Sequence, residues 1–241
     1  MRKRIRFKIS SVTTVALGVI LAIMMTLKAE NSLHCDFQSS RMPADSVMDI
    51  DGNVYIVATI GTQVWMVENL KVTHYRDGSE IPNITDDSVW STLSTGACCW
   101  YNNDSINKDT YGALYNFHAV NDSCELCPKG WHVPTETEWL ALEAYLGGRN
   151  FAGGKMKEVG TTHWNSPNVG ATGESGFLGL PGGGRGRISG SGDIGEYATW
   201  WSSTTYDSIY AWHWGLYRGN ASVRCNPGHK ASGFSIRCVK D

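Results

Sequence analysis

The sequence predicts an α+β domain with short twisted antiparallel strands, one main helix and long irregular loops rich in glycine. Three observations lead to this prediction. The chain has 27 glycines and 10 tryptophans but only 18% charged residues, which is typical of a turn-rich domain with an aromatic core. Short runs of β-branched and aromatic residues recur between glycines. Only one segment, 135–146, shows convincing helical periodicity.

A β-hairpin is predicted near the start of the domain. β-branched and aromatic residues fill 54–60 and 63–67, and a turn containing Gly61 joins them. The preceding Asp49 and Asp51 resemble half of a calcium loop, but the third acidic ligand and the closing glutamate are missing. We therefore interpret this segment as a turn before a strand.

The main helix is predicted over 135–146. Thr135 and Glu138 have the spacing of a capping box, in which the hydroxyl accepts from a free amide and the carboxylate reaches back. Apolar residues then follow at helical spacing, namely Trp139, Leu142 and Leu146. We expect this face to pack on a sheet that contains Phe234 and Ile236.

Further short strands are predicted over 199–203, 211–216 and 233–239, with irregular chain between them. The region 164–186 is rich in glycine and proline and reads as one long loop. Residues 190–195 match the dinucleotide pattern G-x-G-x-x-G by letter, but a strand-like segment follows them where a helix is needed. We therefore predict a loop there and no nucleotide site.

The N-terminal residues read as an export signal. Basic residues precede an apolar run, so 1–29 is predicted to be a signal peptide or an N-terminal membrane anchor. The mixed polar segment 30–46 is assigned to a linker and 47–241 to the domain. We expect a secreted or cell-envelope protein, periplasmic or on the outer surface, that meets the membrane only through its N-terminal segment.

Seven cysteines in an exported chain predict disulfides, because an oxidising compartment allows them to persist. The odd number leaves one thiol unpaired. Cys124 and Cys127 have the spacing of zinc ligands, but zinc needs a second close pair, and Cys225 and Cys238 stand too far apart. We interpret these thiols as halves of disulfides.

Charge and motif spacing exclude several function classes. The net charge is −2 and basic residues do not cluster beyond the N-terminal segment, so no nucleic-acid partner is predicted. The histidines lack metal-ligand spacing, and no nucleophile elbow occurs. We predict no catalytic residue, no metal site, no cofactor and no enzymatic activity.

Aromatic rings are the remaining candidates for ligand contact, because a flat ring packs on the apolar face of a sugar. The candidates are Trp100, Tyr101, Trp164, Trp200, Trp212 and Trp214. About half of the residues in alternating strands point inward, so packing in the core is at least an equal interpretation of these rings.

Ordered motifs along the domain resemble the Fibrobacter succinogenes major paralogous domain family. They lie at 49–55 (DIDGNVY), 63–71 (QVWMVENLK), 111–116 (YGALYN), 127–134 (CPKGWHVP) and 233–241 (GFSIRCVKD). The order of several motifs is also similar to the formylglycine-generating, sulfatase-modifying superfamily, whose fold is a variant of the C-type lectin fold. The resemblance implies a C-type-lectin-like fold and a surface or secreted protein, and it brings no established activity.

The lectin-like arrangement places the first helix beside the last strand. The resemblance therefore implies that Cys238 pairs with Cys127 or, alternatively, with Cys124, and Cys99 is a further disulfide candidate. Such a bridge closes a loop of about 110 residues, for which the chain-entropy estimate is roughly 4 to 5 kcal/mol.

The function expected from these observations is a binding or structural module that recognises a polysaccharide or a surface protein through its long loop. Two alternatives remain. One is a thiol-dependent oxidase of the formylglycine-generating type, although that enzyme has a close reactive cysteine pair and Cys225 and Cys238 stand apart. The other is a calcium-dependent lectin, although the sugar motifs of that class are missing.

Overall fold

The computed structural model describes residues 45–241. The predicted signal or anchor segment, 1–29, and the predicted linker up to residue 44 lie outside the described residues. Within 45–241, no helix is both long enough and apolar enough to cross a membrane. The described chain is mostly β, with short helices and small antiparallel sheets, which confirms the α+β class.

The strands of the described residues are β1 (Ser46–Met48), β2 (Val54–Ile60), β3 (Gln63–Met66), β4 (Cys98–Cys99), β5 (Leu114–Tyr115), β6 (Trp131–His132), β7 (Gly184–Gly186), β8 (Gly190–Gly192), β9 (Tyr197–Thr205), β10 (Tyr210–Tyr217), β11 (Val223–His229) and β12 (Val239–Lys240). The helices are α1 (Asp87–Trp90), α2 (Lys108–Tyr111), α3 (Phe117–Val120), α4 (Glu136–Tyr145) and α5 (Arg149–Met156), with 3-10 turns at Tyr101–Asn103 and Ser105–Asn107. Strand β1 includes Ser46, so the last residue assigned to the linker belongs to the first strand.

Two main sheets organise the domain. The first has the strand order β1-β2-β3-β12-β6, and the second has the order β11-β10-β9. The pairs β4-β5 and β7-β8 form two smaller sheets. The predicted hairpin is confirmed as β2 and β3, and Gly61 has the positive φ of +65° that its turn requires. The last strand, β12, lies between this hairpin and the strand that leads into α4.

The predicted main helix is confirmed as α4. Thr135 is its N-cap, and its hydroxyl accepts from the Glu138 amide at 3.3 Å. The Glu138 carboxylate accepts from the Thr135 amide at 2.8 Å, which completes the capping box. Leu146 is the C-cap, and Gly147 follows with a φ of +100°. A strong local signal therefore fixed both ends of this helix.

The buried face of α4 is confirmed, but its predicted partner is wrong. Trp139 is 1% exposed and packs on the Trp200 and Trp214 rings, with centroids 6.2 and 5.7 Å away. Phe234 instead contacts Trp201, with ring centroids 4.5 Å apart. These two residues and Ile236 belong to a second core cluster, separate from the one that contains Trp139. Neighbouring residues of a strand point to opposite faces, so these clusters lie on opposite sides of β9.

The strand predicted over 233–239 is largely wrong. Only Val239 lies in β12, while Gly233, Phe234 and Ser235 make isolated bridges to other segments. The predictions of strands over 199–203 and 211–216 are confirmed within β9 and β10.

Several short elements were not predicted, and the loop predicted over 190–195 begins with strand β8. Two longer elements, α5 and β11, were missed because their sequences break the usual rules. Helix α5 contains Gly153 and Gly154, where an added Cβ would lie 2.5 and 2.2 Å from backbone carbonyl oxygens of Ser222 and Gly170. Strand β11 contains Pro227, which is tolerated because β11 is an edge strand of its sheet. Close backbone packing and edge position override local propensity here.

The disulfide between Cys127 and Cys238 confirms the first of the two predicted pairings. Their Cα atoms are 6.0 Å apart, and the bridge joins the segment before α4 to the residue that precedes the last strand, across 111 residues. The other candidates, Cys99 and Cys124, are free, as are Cys98 and Cys225. Four described cysteines are therefore unpaired, which is more than the single odd thiol predicted.

Candidate functional site

A cleft of about 460 Å³ lies beside the β7-β8 hairpin. The hairpin forms one wall, and the half-buried rings of Tyr197 and Phe234 contribute the apolar surface. The hydroxyl-bearing residues that line it are Ser189, Ser191, Thr199 and Ser232. The single carboxylate of the lining belongs to Asp193. The cleft therefore combines two aromatic rings with many neutral polar groups.

Glycines make the hairpin wall thin and tightly folded. A Cβ on Gly183, whose φ is +63°, would lie 2.2 Å from the Gly192 carbonyl oxygen. A Cβ on Gly186 would lie 2.0 Å from the Ser189 hydroxyl. Gly183 needs glycine because of its positive φ and its contact with backbone, whereas the contact at Gly186 is with the end of a serine side chain, which can move. Glycine in a strand often marks a place where a ligand approaches the backbone.

Arg185 fixes the hairpin to the rest of the domain. It is 1% exposed, and its guanidinium donates to the Asp87 carboxylate at 2.6 Å and to the Ile84 carbonyl at 2.6 Å. It also donates to the Thr85 carbonyl at 3.1 Å and lies 4.3 Å from the centroid of the Trp90 ring. Arg185 thus uses a buried fork of donors to hold the cleft wall in place.

The two rings of the cleft are fixed by neighbouring aromatic side chains. Phe234 lies between Trp201 and His213, with centroid distances of 4.5 and 4.7 Å. Burial lowers the pKa of His213 to about 4, against the opposing effect of a backbone hydrogen bond, so this ring is neutral at pH 7. Tyr197 stacks on Tyr217 at 4.6 Å. Both rings are therefore held rigidly before any ligand binds.

The structure places most of the predicted ligand-binding aromatics in the core. Trp164, Trp200 and Trp214 are at most 1% exposed, and Trp100 and Tyr101 are 8% exposed. Rings packed in this way present no free face to a ligand, which favours the core-packing alternative for these five residues. Trp212 is half-buried and meets Tyr206 edge-on at 4.9 Å, outside the cleft. None of the six predicted residues lines the cleft.

The carboxylates of the turn before β2 already accept hydrogen bonds from other groups of the protein. The Asp49 carboxylate accepts from the amides of Asp51 and Asn53 and from the Tyr55 hydroxyl at 2.6 Å. Asp51 accepts from Thr73. Nowhere in residues 45–241 do three or more histidine, cysteine, aspartate or glutamate side chains form a group suited to hold a metal ion.

A family model, the Fibrobacter succinogenes major domain, matches residues 58–240. The chain belongs to this family. All residues that line the cleft fall within the matched range of this Fibrobacter succinogenes major domain. No curated protein and no solved structure matches the chain.

Sequence reasoning missed the residues that line the cleft of this Fibrobacter succinogenes major domain. The density of glycine over 182–195 was a visible signal, but it indicated only a loop. Tyr197 and Phe234 lie 37 positions apart in the chain, and only the path of the backbone brings them to one cleft.

Proposed function

We propose that this chain is an exported glycan-binding module whose ligand occupies the cleft beside the β7-β8 hairpin. The observation that carries the proposal is the cleft itself, in which two fixed aromatic rings face a glycine-rich wall. Rigid loops on a scaffold are common places for recognition, and binding clefts combine apolar surface with a few polar groups.

The chemistry of the lining matches a sugar. Tyr197 and Phe234 contribute half-buried apolar ring surface to the lining, and ring surface of this kind packs on the C–H face of a pyranose. Hydroxyl groups act as both donors and acceptors, as do the hydroxyls of a sugar. The guanidinium of Arg185 already forms an ion pair with the Asp87 carboxylate, so its charge is not free to bind a ligand in the cleft. The predicted polysaccharide partner fits this lining better than a flat protein surface does.

The C-type-lectin-like arrangement is part of this proposal. The disulfide from the segment before α4 to the residue that precedes the last strand, and the pairing of β12 with both β3 and β6, support it. The disulfide also supports export to a secreted or cell-envelope location, since such bonds persist in oxidising compartments.

The two alternative functions have less support. A thiol-dependent oxidase needs a reactive cysteine pair, but Cys238 is bonded to Cys127 and Cys225 is free. A calcium-dependent lectin needs oxygen ligands that are free to bind, but protein donors occupy Asp49 and Asp51. We therefore propose a binding module without enzymatic activity.

A cleft-filling substitution tests the proposal. Of the described glycines, Gly192 is the one that lacks a positive φ and has no atom within 4 Å of an added Cβ, so it accepts a side chain without strain. The Gly192→Trp variant is compared with wild type for binding to immobilised plant and bacterial polysaccharides. The control is Thr62→Trp, at an exposed residue of the turn between β2 and β3, away from the cleft.

We expect wild type and Thr62→Trp to bind at least one polysaccharide and Gly192→Trp to bind it at least about tenfold more weakly, since filling the cleft removes its ring contacts. Equal binding by Gly192→Trp and wild type, or no binding of any polysaccharide by wild type, would show that the proposal is wrong.

A further inference from the structure

Basic side chains gather at one end of the cleft. Arg187 directly follows Gly186 of the cleft wall and is exposed. At the same end, the amide of the lining residue Ser232 donates to the His229 carbonyl at 2.7 Å. His118 and Lys230 lie beside this turn, where the Phe117 amide donates to the Lys230 carbonyl at 2.9 Å. We call Arg187, His229, His118 and Lys230 the basic cluster.

The basic cluster has no carboxylate partner among the described residues. Arg187 donates to the Ser91 carbonyl at 3.3 Å, and the Lys230 ammonium donates to the Asp207 carbonyl at 2.7 Å. These acceptors are neutral peptide oxygens. The pKa of the Asp207 carboxylate is lowered chiefly by its own hydrogen bonds to the Ile209 and Tyr210 amides, and the charge of Lys230 lowers it further.

Burial and nearby positive charges keep the two histidines of the basic cluster neutral. Burial lowers the pKa of His229, and the charges of Arg187 and His118 lower it further. Burial also lowers the pKa of His118, and Lys230 adds to that effect. Both histidines are therefore neutral at pH 7, and the positive charges of the basic cluster at that pH are those of Arg187 and Lys230. A negatively charged ligand gains favourable interactions beside such exposed cations.

A second cation lies at the Tyr197 end of the cleft. The exposed Arg224 guanidinium lies 5.8 Å from the Tyr197 centroid and 5.4 Å from the Tyr217 centroid. It forms no ion pair within residues 45–241, whereas the neighbouring Arg218 is paired with Glu196. A ring that lines the cleft is therefore next to a cation whose charge is free to meet a ligand.

We infer that the ligand of the cleft is an acidic glycan, whose carboxylate or sulfate groups contact the basic cluster at one end and Arg224 at the other. This inference rests on the proposed glycan-binding function and adds the chemical class of the glycan. Asp193 lines the cleft and is the acidic group of its lining that opposes such a ligand. The cations outnumber it at the two ends.

Matched polymers separate charge from backbone in the test. Polygalacturonate is compared with its fully methyl-esterified form, and dextran sulfate is compared with dextran. The members of the first pair differ in a free carboxylate and those of the second pair differ in sulfate groups. The sugar backbone is the same within each pair. We expect the purified domain to bind the charged member of at least one pair at least about tenfold more tightly than its neutral partner, the factor that one charge-assisted hydrogen bond provides.

Substitutions assign the preference to residues. Arg187→Gln and Arg224→Gln each remove an exposed charge near the cleft, and Lys129→Gln removes an exposed charge away from it. Arg224→Gln also removes the contact of the guanidinium with the Tyr197 and Tyr217 rings, whereas Arg187→Gln removes no ring contact within residues 45–241. We expect the first two variants to weaken binding of the charged polymer about tenfold and to reduce its sensitivity to salt, while Lys129→Gln behaves as wild type. The neutral partners should show no such loss.

Each outcome of this test decides a separate question. Equal affinity for charged and neutral partners, or unchanged binding of the charged polymer by both Arg187→Gln and Arg224→Gln, would overturn the inference while leaving glycan binding intact. Binding of the charged polymer that persists in Gly192→Trp would place the acidic ligand outside the cleft and would also overturn it. Failure of wild type to bind any polymer would overturn both the inference and the proposed function.

Discussion

The Arg185 guanidinium donates to the Asp87 carboxylate at 2.6 Å and joins the glycine hairpin of the cleft to the short helix α1. The two residues are unequal partners, because Arg185 is 1% exposed and the Asp87 side chain is 58% exposed. Arg185 also donates to the peptide carbonyls of Ile84 and Thr85. The burial of its charge therefore depends on all these acceptors together.

Replacement of Arg185 should be costly and replacement of Asp87 should not. We expect Arg185→Met to lower the free energy of unfolding by about 2 to 4 kcal/mol, because it removes the charge-assisted hydrogen bonds of a buried guanidinium and its contact with the Trp90 ring. We expect Asp87→Asn to cost less than about 1 kcal/mol, because its exposed carboxylate is screened by water. Urea denaturation of both variants measures the difference, and equal losses would contradict this account of the hairpin anchor.

The core face of α4 gives a second test on one helix. Leu142 is 1% exposed and Leu140 is 43% exposed. Leu142→Ala should lower the free energy of unfolding by about 2 to 5 kcal/mol, the range for a buried leucine, while Leu140→Ala should cost less than about 1 kcal/mol. A loss below about 1 kcal/mol for Leu142→Ala would mean that this face does not form the core.

The disulfide between Cys127 and Cys238 should dominate the redox dependence of stability. In the chain-entropy estimate, a loop of this length contributes about 4 to 5 kcal/mol to the free energy of unfolding. The double variant Cys127→Ala/Cys238→Ala should therefore unfold at much lower urea concentration and should no longer respond to reductant. Cys124→Ala, which removes a free thiol, is the matched control. A reductant effect that persists in the double variant would point to a different bridge.

His132 links the last residue to the start of α4. Its Nδ1 lies 2.7 Å from the Asp241 carboxylate and its Nε2 lies 2.8 Å from the Glu138 carboxylate. Burial acts to lower the pKa of His132, but the hydrogen bonds to Asp241 and Glu138 raise it above its ordinary value of 6.5. Both ring nitrogens face acceptors, so the protonated ring fits this site best.

The sign of the resulting pH dependence follows from that raised pKa. The stabilisation from His132 is fully present below the unfolded pKa of about 6.5 and is lost as pH rises through the higher folded value. We expect the urea midpoint of wild type to fall between pH 6 and pH 8.5, and the midpoint of His132→Gln to fall less. A His132→Gln variant that retains the full decrease would assign the pH dependence to other groups.

Local signals in the sequence were sufficient for some elements and insufficient for others. The capping box at Thr135 and the turn at Gly61 each depend on a few adjacent residues. The start of α4 and the first hairpin were therefore predictable. Helix α5 was not, since its glycines are required by contacts with residues far along the chain. The burial of most of the predicted ligand-binding aromatics was unpredictable for a similar reason. Alternation along a strand does not show which face of β9 or β10 packs in the core.

Hydrogen exchange of the protein with and without the polysaccharide that it binds most tightly tests the central claim most directly. If the glycan occupies the cleft, backbone amides over 183–193 and 232–234 should exchange more slowly in the complex, because bound ligand shields this wall and stabilises it. The Tyr206 and Trp212 ring pair, on a separate surface, should be unaffected. Protection at that ring pair with none in the hairpin, or no protection anywhere, would contradict glycan binding in the cleft.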